Sequence, residues 1–434
     1  MGERYTPYMY KYCIEGNIPL GGTIRASGNK NAALPCISAA LLTDEPVWLR
    51  NVPEIEDVNV MLSILSSLGV QVKRIEKNTV ELHTQNIKSY EVSEDLTRKI
   101  RASVLVAGPL LARVGKVILP PPGGDVIGRR RLDTHFLALA DLGAKVEVDK
   151  VFRLFTKGLH GTEVFLDEAS VTATENAVMA AVLAEGDTVI ENAASEPHVQ
   201  DLCTMLNSMG ARIEGVGSNI LRVQGVKKLH GTDFAIGSDY MEIGSFIGLA
   251  AVTRSELEIH HTEPRHLKMM RIVFAKLGIE WEQEGSILYI PANQKLKVVP
   301  DLGGIIPKVD DAPWPGFPAD LTSIALVVAT QVEGPVLIHE KMFESRMFFV
   351  DKLIDMGAKI VLCDPHRAVV NGPSKLHGSV MTSPDVRAGM AMVIAALCSE
   401  GESVIHNVYQ IERGYENLTE RLTALGARIR RMNT

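Results

Sequence analysis

Apolar positions along the chain follow two alternating rhythms, a helical spacing of three and four and a strand-like alternation, and the change from one to the other is marked in the same way six times. An amphipathic stretch closes on Leu-Gly or Met-Gly and a strand-like run follows at once: SSLGVQVKRI, ADLGAKVEV, NSMGARIEGV, AKLGIEWEQ, IDMGAKIVL and TALGARIRR. A glycine just past the last periodic residue reads as a helix C-cap. The glycines are Gly69, Gly143, Gly210, Gly278, Gly357 and Gly426, separated by 74, 67, 68, 79 and 69 residues. So even a punctuation implies six units of about 70 residues.

The third unit shows the internal order. LHGTEVFLDEAS reads as turn and strand, VTATENAVMAAVLAEG as helix, DTVIENA as strand, EPHVQDLCTMLNSMG as helix, and ARIEGV with ILRVQGV as a hairpin, so the pattern is βαβαββ. The LHG turn recurs at Leu159–Gly161, Leu229–Gly231 and Leu376–Gly378. SFIGLAAV, SIALVVATQ and AGMAMVIAAL are apolar almost all round, as helices buried on every side are. They predict helices packed inside a domain with sheets facing outward, the reverse of an ordinary α/β barrel. Length favours two domains of three units over one closed ring of six.

Composition narrows the class without naming it. With 434 residues, 46% hydrophobic, 22% charged and a net charge of -7, the chain can bury large cores and offers no overall support for a nucleic-acid-binding surface. Cys13, Cys36, Cys203, Cys363 and Cys398 are odd in number and lack metal-ligand spacing, which argues against a disulfide framework or a zinc site and for a reducing compartment. The start, MGERYTPYMYKYCIEG, has no apolar signal-peptide core, and no apolar run reaches the roughly 18 residues that span a bilayer. The expectation is a cytoplasmic protein without a membrane or nucleic-acid partner.

Candidate chemistry gathers in a few places. KVILPPPGGDVIGRRRLDTH (116–135) begins as a strand, stiffens at Pro120–Pro122, loosens at Gly123 and Gly124, and presents Asp125 before Arg129, Arg130 and Arg131. It reads either as a solvated basic turn or as a loop that closes on an anion with a proton to transfer. Polar residues also collect where first strands meet first helices: Ser27–Asn31, Ser170 with Thr172 and Thr174, Ser238–Tyr240, Asp320, and Asp385 with Arg387. Capping explains many of them. Lys30 does not fit, because a lysine in a first turn opposes the helix dipole and needs a negative partner. Asp320, delivered by a Pro/Trp/Gly-rich loop before an apolar helix, is either an N-cap or a partly buried acid of tunable pKa. Arg101, Arg346 and Arg413 sit in apolar or turn-forming surroundings and are either snorkelling surface residues or anion ligands.

GNKNAALP (28–35), IRASVLVAGPLLAR (100–113), GGDVIGRRRLDTH (123–135), FPADLTS (317–323), FESR (343–346) and IERGYE (411–416) resemble the motifs of the UDP-N-acetylglucosamine 1-carboxyvinyltransferases, which are enolpyruvyl transferases. The resemblance runs through nearly the whole chain. It implies an α/β fold, a two-domain inverse (inside-out) α/β barrel of six βαβαββ repeats, with the active site in the cleft. The domains would be 1–29 with 239–434, and 30–238 carrying a mobile catalytic loop at 116–135. The implied substrates are phosphoenolpyruvate and UDP-N-acetylglucosamine, with no metal or organic cofactor, in the first committed step of peptidoglycan synthesis.

The same resemblance implies roles. Lys30 and Asn31 would contact phosphoenolpyruvate, with Arg130 and Arg413 on its phosphate and carboxylate. Arg101, the segments Arg130, Arg131, Leu132, Asp133, Thr134 and Glu168, Ala169, Ser170, Val171, and also Met342, would hold the sugar nucleotide. Asp320 would be the general base for the sugar 3′-hydroxyl, with Arg346, Asp385 and Arg387 in the cleft beside it. Lys30, Asp125, Asp320 and Arg413 form the catalytic set.

Two departures from the family pattern stand out. Asp125 occupies the position where most members carry cysteine, and an aspartic acid donates a proton there only once bound substrate neutralises the nearby arginines. Without the thiol that fosfomycin alkylates, the chain is expected to resist that drug. Arg131 and Thr134, and Thr322 with Ser323, also differ from the family's usual residues. These leave open another nucleotide or sugar acceptor, or a non-catalytic nucleotide-sugar-binding paralogue.

Overall fold

The computed structural model describes residues 10–124, 128 and 131–434. The chain forms two compact units, which change over between Ala26 and Ser27 and between Gly237 and Ser238. Among the described residues the strands form six sheets, five of four strands and one of three. The inverse α/β architecture expected from the repeats is present in each unit.

The third repeat shows the plan. Glu163–Phe165 pairs in parallel with Asp187–Glu191, the helix Val171–Ala181 making the crossover, and the hairpin Arg212–Glu214/Ile220–Gln224 adds antiparallel to the second strand. The order is βαβαββ, as the pattern predicts. The helix Pro197–Ser208 is the amphipathic partner, burying Val199, Leu202 and Leu206.

The recurring Leu-Gly or Met-Gly is a helix stop used six times. Gly69, Gly143, Gly210, Gly278, Gly357 and Gly426 all have φ between 74° and 107°. After each, the next residue's amide reaches back five residues: Val70 to Leu65, Ala144 to Leu139, Ala211 to Leu206, Ile279 to Phe274, Ala358 to Leu353 and Ala427 to Leu422, at 2.9–3.1 Å. This is the Schellman closure, in which a left-handed residue satisfies the last carbonyls of the helix and turns the chain into the hairpin.

In the unit that contains residues 238–434, the helices Tyr240–Val252, Thr322–Thr330 and Val386–Cys398 pack on one another and are buried almost throughout. Their close approach needs small residues. A Cβ on Gly248 would lie 2.7 Å from Ile324 Cγ2, and one on Gly244 would lie 2.6 Å from Leu321 Cδ1. The second helices of these repeats, such as Lys268–Lys276, bury only one face through Met270, Val273 and Phe274. The other unit encloses its own core around Lys30–Ala39, Ala107–Val114 and Val171–Ala181.

Three features do not follow from the periodicity. Gly21–Arg25 pairs with Glu256–His260, and Thr232–Ala235 with Pro46–Arg50, so each of these sheets borrows its parallel first strand from a distant part of the chain. Tyr10–Glu15 lies between Glu402–His406 and Arg428–Asn433 and completes the sixth sheet. In the second repeat the first strand shrinks to a single bridge, Glu91 to Ile118.

Candidate active site

In the unit spanning residues 27–237, the helix Lys30–Ala39 starts on Asn29, whose side chain accepts from the amides of Asn31 at 2.8 Å and Ala32 at 3.2 Å. Lys30 finds the negative partner its position demands. Asp57, in the first turn of Glu56–Leu68, lies 3.4 Å from Lys30 Nζ. That carboxylate has a favourable place at its own helix N-terminus and offsets the unfavourable place of the lysine.

A second group is built on two neighbouring helix starts, Asp133–Asp141 and Val171–Ala181. Ser170 caps the latter through the Ala173 amide. Arg131 pairs with Asp133 at 3.0 Å and Asp167 at 2.8 Å, and Thr134 Oγ1 donates to Asp167 at 2.7 Å. Arg101 Nη2 donates to the Arg131 carbonyl at 2.8 Å. Behind them His135 is fully buried between Thr172 and Asn176, and burial, reinforced by the charge of Arg101, pushes its pKa down to about 3. Of the sequence candidates, Arg101, Arg131, Asp133 and Thr134 are thus linked, with Glu168–Val171 continuing directly from Asp167. Asp125 and Arg130 lie outside the described residues.

In the other unit Asp320 is not a helix cap. It sits in the single 3-10 turn Ala319–Leu321, and its carboxylate takes Arg346 Nη2 at 3.0 Å and Arg387 Nε at 2.9 Å. The cap of the nearby helix Val386–Cys398 is Asp385, which accepts from the Arg387 and Ala388 amides. Arg346 and Arg387 are both about 4% exposed, so neither is a snorkelling surface residue. Burial works against both charges, but the surrounding groups, Asp320 among them, outweigh it and hold each above its ordinary pKa.

Several polar atoms in this group make no hydrogen bond. Among the described residues, Arg346 Nε and Nη1 and Arg387 Nη1 are buried without a hydrogen-bond acceptor, as are the hydroxyls of Thr322 and Ser323 without any partner. Buried donors of this kind are ordinarily matched by water, an ion or a ligand. Arg413, 5% exposed at the end of Tyr409–Glu412, donates to Gln410 at 2.8 Å.

Sequence reasoning missed the supporting carboxylates. Glu340 lies 3.8 Å from Arg346 Nε and accepts from the Met342 and Phe343 amides, so it orients both the arginine and the turn that exposes Met342. Burial, with the charge of Asp311 and against that of Arg346, pushes Glu340 up to about 8. Asp57, Asp167, Asp311 and Glu340 carry no local signal. Only Asp167 adjoins a segment already singled out. Among the described residues no cluster of three or more His, Cys, Asp or Glu is arranged to hold a metal ion, and no helix is long and apolar enough to cross a membrane.

Comparison with known proteins gives a consistent result. Residues 14–422 match the family described as EPSP synthase (3-phosphoshikimate 1-carboxyvinyltransferase). The UDP-N-acetylglucosamine 1-carboxyvinyltransferase of Treponema denticola is 68% identical, covering 97% of this chain and 99% of that one. The proteins of the same description from Treponema pallidum and Borreliella burgdorferi are 63% and 59% identical, over 96% and 98% of this chain and 98% and 100% of theirs. Among solved structures, the enolpyruvyl transferase NikO from Streptomyces tendae superposes with a TM-score of 0.87 at 23% identity, over 99% of this chain and 100% of that one. An EPSP synthase from Acinetobacter baumannii gives 0.75 at 18%, over 98% and 99%. With a near full-length family match and relatives this similar, the chain belongs to the enolpyruvyl transferases, among the UDP-N-acetylglucosamine 1-carboxyvinyltransferases.

Proposed function

We propose that this chain transfers the enolpyruvyl group of phosphoenolpyruvate to the 3′-hydroxyl of UDP-N-acetylglucosamine and releases phosphate, using Asp320 as base and Asp125 as acid. The observation that carries the chemistry is the Asp320 carboxylate held by two buried arginines. Asp320 takes the proton of the attacking hydroxyl while the new O–C2 bond forms and Asp125 protonates C3. The tetrahedral intermediate then loses a proton from C3, the C2–O bond to phosphate breaks, and the double bond returns. Lys30, Asn31, Arg130 and Arg413 hold the phosphate and carboxylate. Arg101, residues 131–134, residues 168–171 and Met342 hold the nucleotide sugar, and Arg346, Asp385 and Arg387 frame the base. A preorganised set of cations suits a substrate whose charge shifts during the reaction.

The proposal includes a domain division at 1–29 with 239–434 and at 30–238, a closing loop at 116–135, and a cytoplasmic setting in peptidoglycan synthesis. Retention of Lys30, Asp320, Arg346 and Arg387 in charge-matched settings favours an enzyme over a silent binding protein. A phosphate-release assay with phosphoenolpyruvate and a panel of acceptors tests the reaction. Turnover with UDP-N-acetylglucosamine is expected, and none with any acceptor would leave only the binding protein.

The loop aspartate has its own test. Asp125→Asn is expected to lower kcat by roughly 10²- to 10⁴-fold, the usual range for a lost general acid, with nucleotide affinity retained. The unaltered enzyme should stay active after incubation with fosfomycin, whereas Asp125→Cys should become susceptible. Rapid inactivation of the unaltered enzyme would refute the role of the aspartate in resistance.

A further inference from the structure

The two segments assigned to the nucleotide sugar, 131–134 and 168–171, meet at a carboxylate that belongs to neither. Asp167 is anchored from the sheet side, because the Leu166 amide before it donates to the Glu191 carbonyl at 3.1 Å at the end of Glu163–Phe165. After it the chain makes a tight turn, the Ser170 amide donating to the Glu168 carbonyl at 2.7 Å, and enters the helix capped by Ser170. Both Asp167 oxygens point to the other segment. Oδ1 accepts from Thr134 Oγ1 at 2.7 Å and Oδ2 from Arg131 Nη2 at 2.8 Å.

We propose that Asp167 is a positioning residue that sets affinity for UDP-N-acetylglucosamine by fastening 131–134 to 168–171 before the nucleotide arrives. The inference rests on the functional reading above. Arg131 and Thr134, two of the residues that depart from the family's usual pattern, are the two that bind Asp167. The Arg131 guanidinium, shared between Asp133 and Asp167, is committed to this latch, and Arg101 reinforces it by bonding the Arg131 carbonyl. The hydroxyl of Thr134, with the charge of Arg131 in support, holds the Asp167 carboxyl below its ordinary range, as expected of an ionised acceptor.

An exposed ion pair alone contributes little. Here one carboxylate accepts from two donors on one short segment, so releasing it unfastens the two helix starts from each other. The cost of ordering them would then fall on binding rather than on chemistry.

Steady-state kinetics and titration calorimetry test this. Asp167→Ala is expected to raise KM for UDP-N-acetylglucosamine by roughly 5- to 30-fold, the factor that one to two kcal/mol of lost preorganisation represents, and to weaken the calorimetric Kd equally. kcat and KM for phosphoenolpyruvate should stay within about twofold, a small margin on the same scale. Asp167→Glu should recover part of the affinity. Arg131→Gln should weaken it in the same sense, and the double variant should be less impaired than the two single effects combined. An unchanged nucleotide KM in Asp167→Ala, whether or not its melting temperature falls, would overturn the inference. So would a loss confined to kcat. If the unaltered enzyme released no phosphate, the functional reading would fail first, and calorimetry with UDP-N-acetylglucosamine would still decide whether Asp167 governs its binding.

Discussion

Asn176 decides the tautomer of His135. Its amide orientation is set by the Gly108 amide, which donates to Oδ1 at 2.8 Å, and by the Val104 carbonyl, which accepts from Nδ2 at 3.0 Å. The second Nδ2 hydrogen therefore faces His135 Nδ1 at 2.9 Å, which makes Nδ1 the acceptor and leaves Nε2 to donate to Thr172 at 3.0 Å. Only the neutral ring fits. A native pKa of about 3, below the usual 6.5, means that the unfolded chain takes up the proton first. The stability contributed by this ring is complete above pH 6.5 and is lost toward pH 3, at about 1.4 kcal/mol per pH unit. In urea titrations at pH 7 and 4.5, His135→Gln should cost more at pH 7, and the gap to the parent should narrow at 4.5. A gap that did not change with pH would mean that the histidine is not held neutral. At this scale Lys30 and Asp320 were legible because each breaks a local rule, one opposing a helix dipole and one placing an acid before an apolar helix. Asp57 was not, and although the resemblance named Arg346 and Arg387 beside Asp320, no local pattern shows that they pair with its carboxylate. Asp57, Arg346 and Arg387 meet Lys30 and Asp320 only through the fold, 26 to 67 residues away in sequence.

The helix stops carry most of what the sequence reveals about elements. Their signature is local, an apolar residue, a glycine and a β run, and the structure turns each instance into the same pair of backbone features, a positive φ and a five-residue hydrogen bond. Gly143 isolates the backbone contribution. Its φ is 99°, and an added Cβ would meet nothing closer than 3.6 Å, so Gly143→Ala strains the chain without a clash. It should destabilise the protein by about 1–2 kcal/mol, as read by the denaturant midpoint. Gly158→Ala, in open space and without a positive φ, serves as the control and should stay within about 0.5 kcal/mol. Equal effects from the two would remove the left-handed cap as the cause. The exchanged strands were not legible, because strand propensity says that Gly21–Arg25 and Thr232–Ala235 are extended but not which neighbour each will join. Parallel pairing is a long-range choice, settled by which apolar helix each strand must cover.

At the scale of the molecule, helices without a polar face, such as Tyr240–Val252, can only sit at a centre, and this makes the inside-out arrangement readable from sequence. Each compact unit closes its own core, and the two cores have no residue in common. A fault in one centre should therefore remain local in its effects. Gly248 supplies the fault, because a side chain there would press on Ile324 Cγ2 at 2.7 Å and Val328 Cγ2 at 3.2 Å in the middle of the neighbouring helix. Overpacking of this kind costs about 1–3 kcal/mol. Gly248→Leu should accordingly raise amide exchange in Tyr240–Val252, Thr322–Thr330 and Val386–Cys398 by roughly 5- to 150-fold. Protection in Val171–Ala181 and Pro197–Ser208, which belong to the other core, should hold at the parent level. Hydrogen exchange read by mass spectrometry resolves these helices separately. A uniform loss across both sets would show that the cores open as one cooperative body.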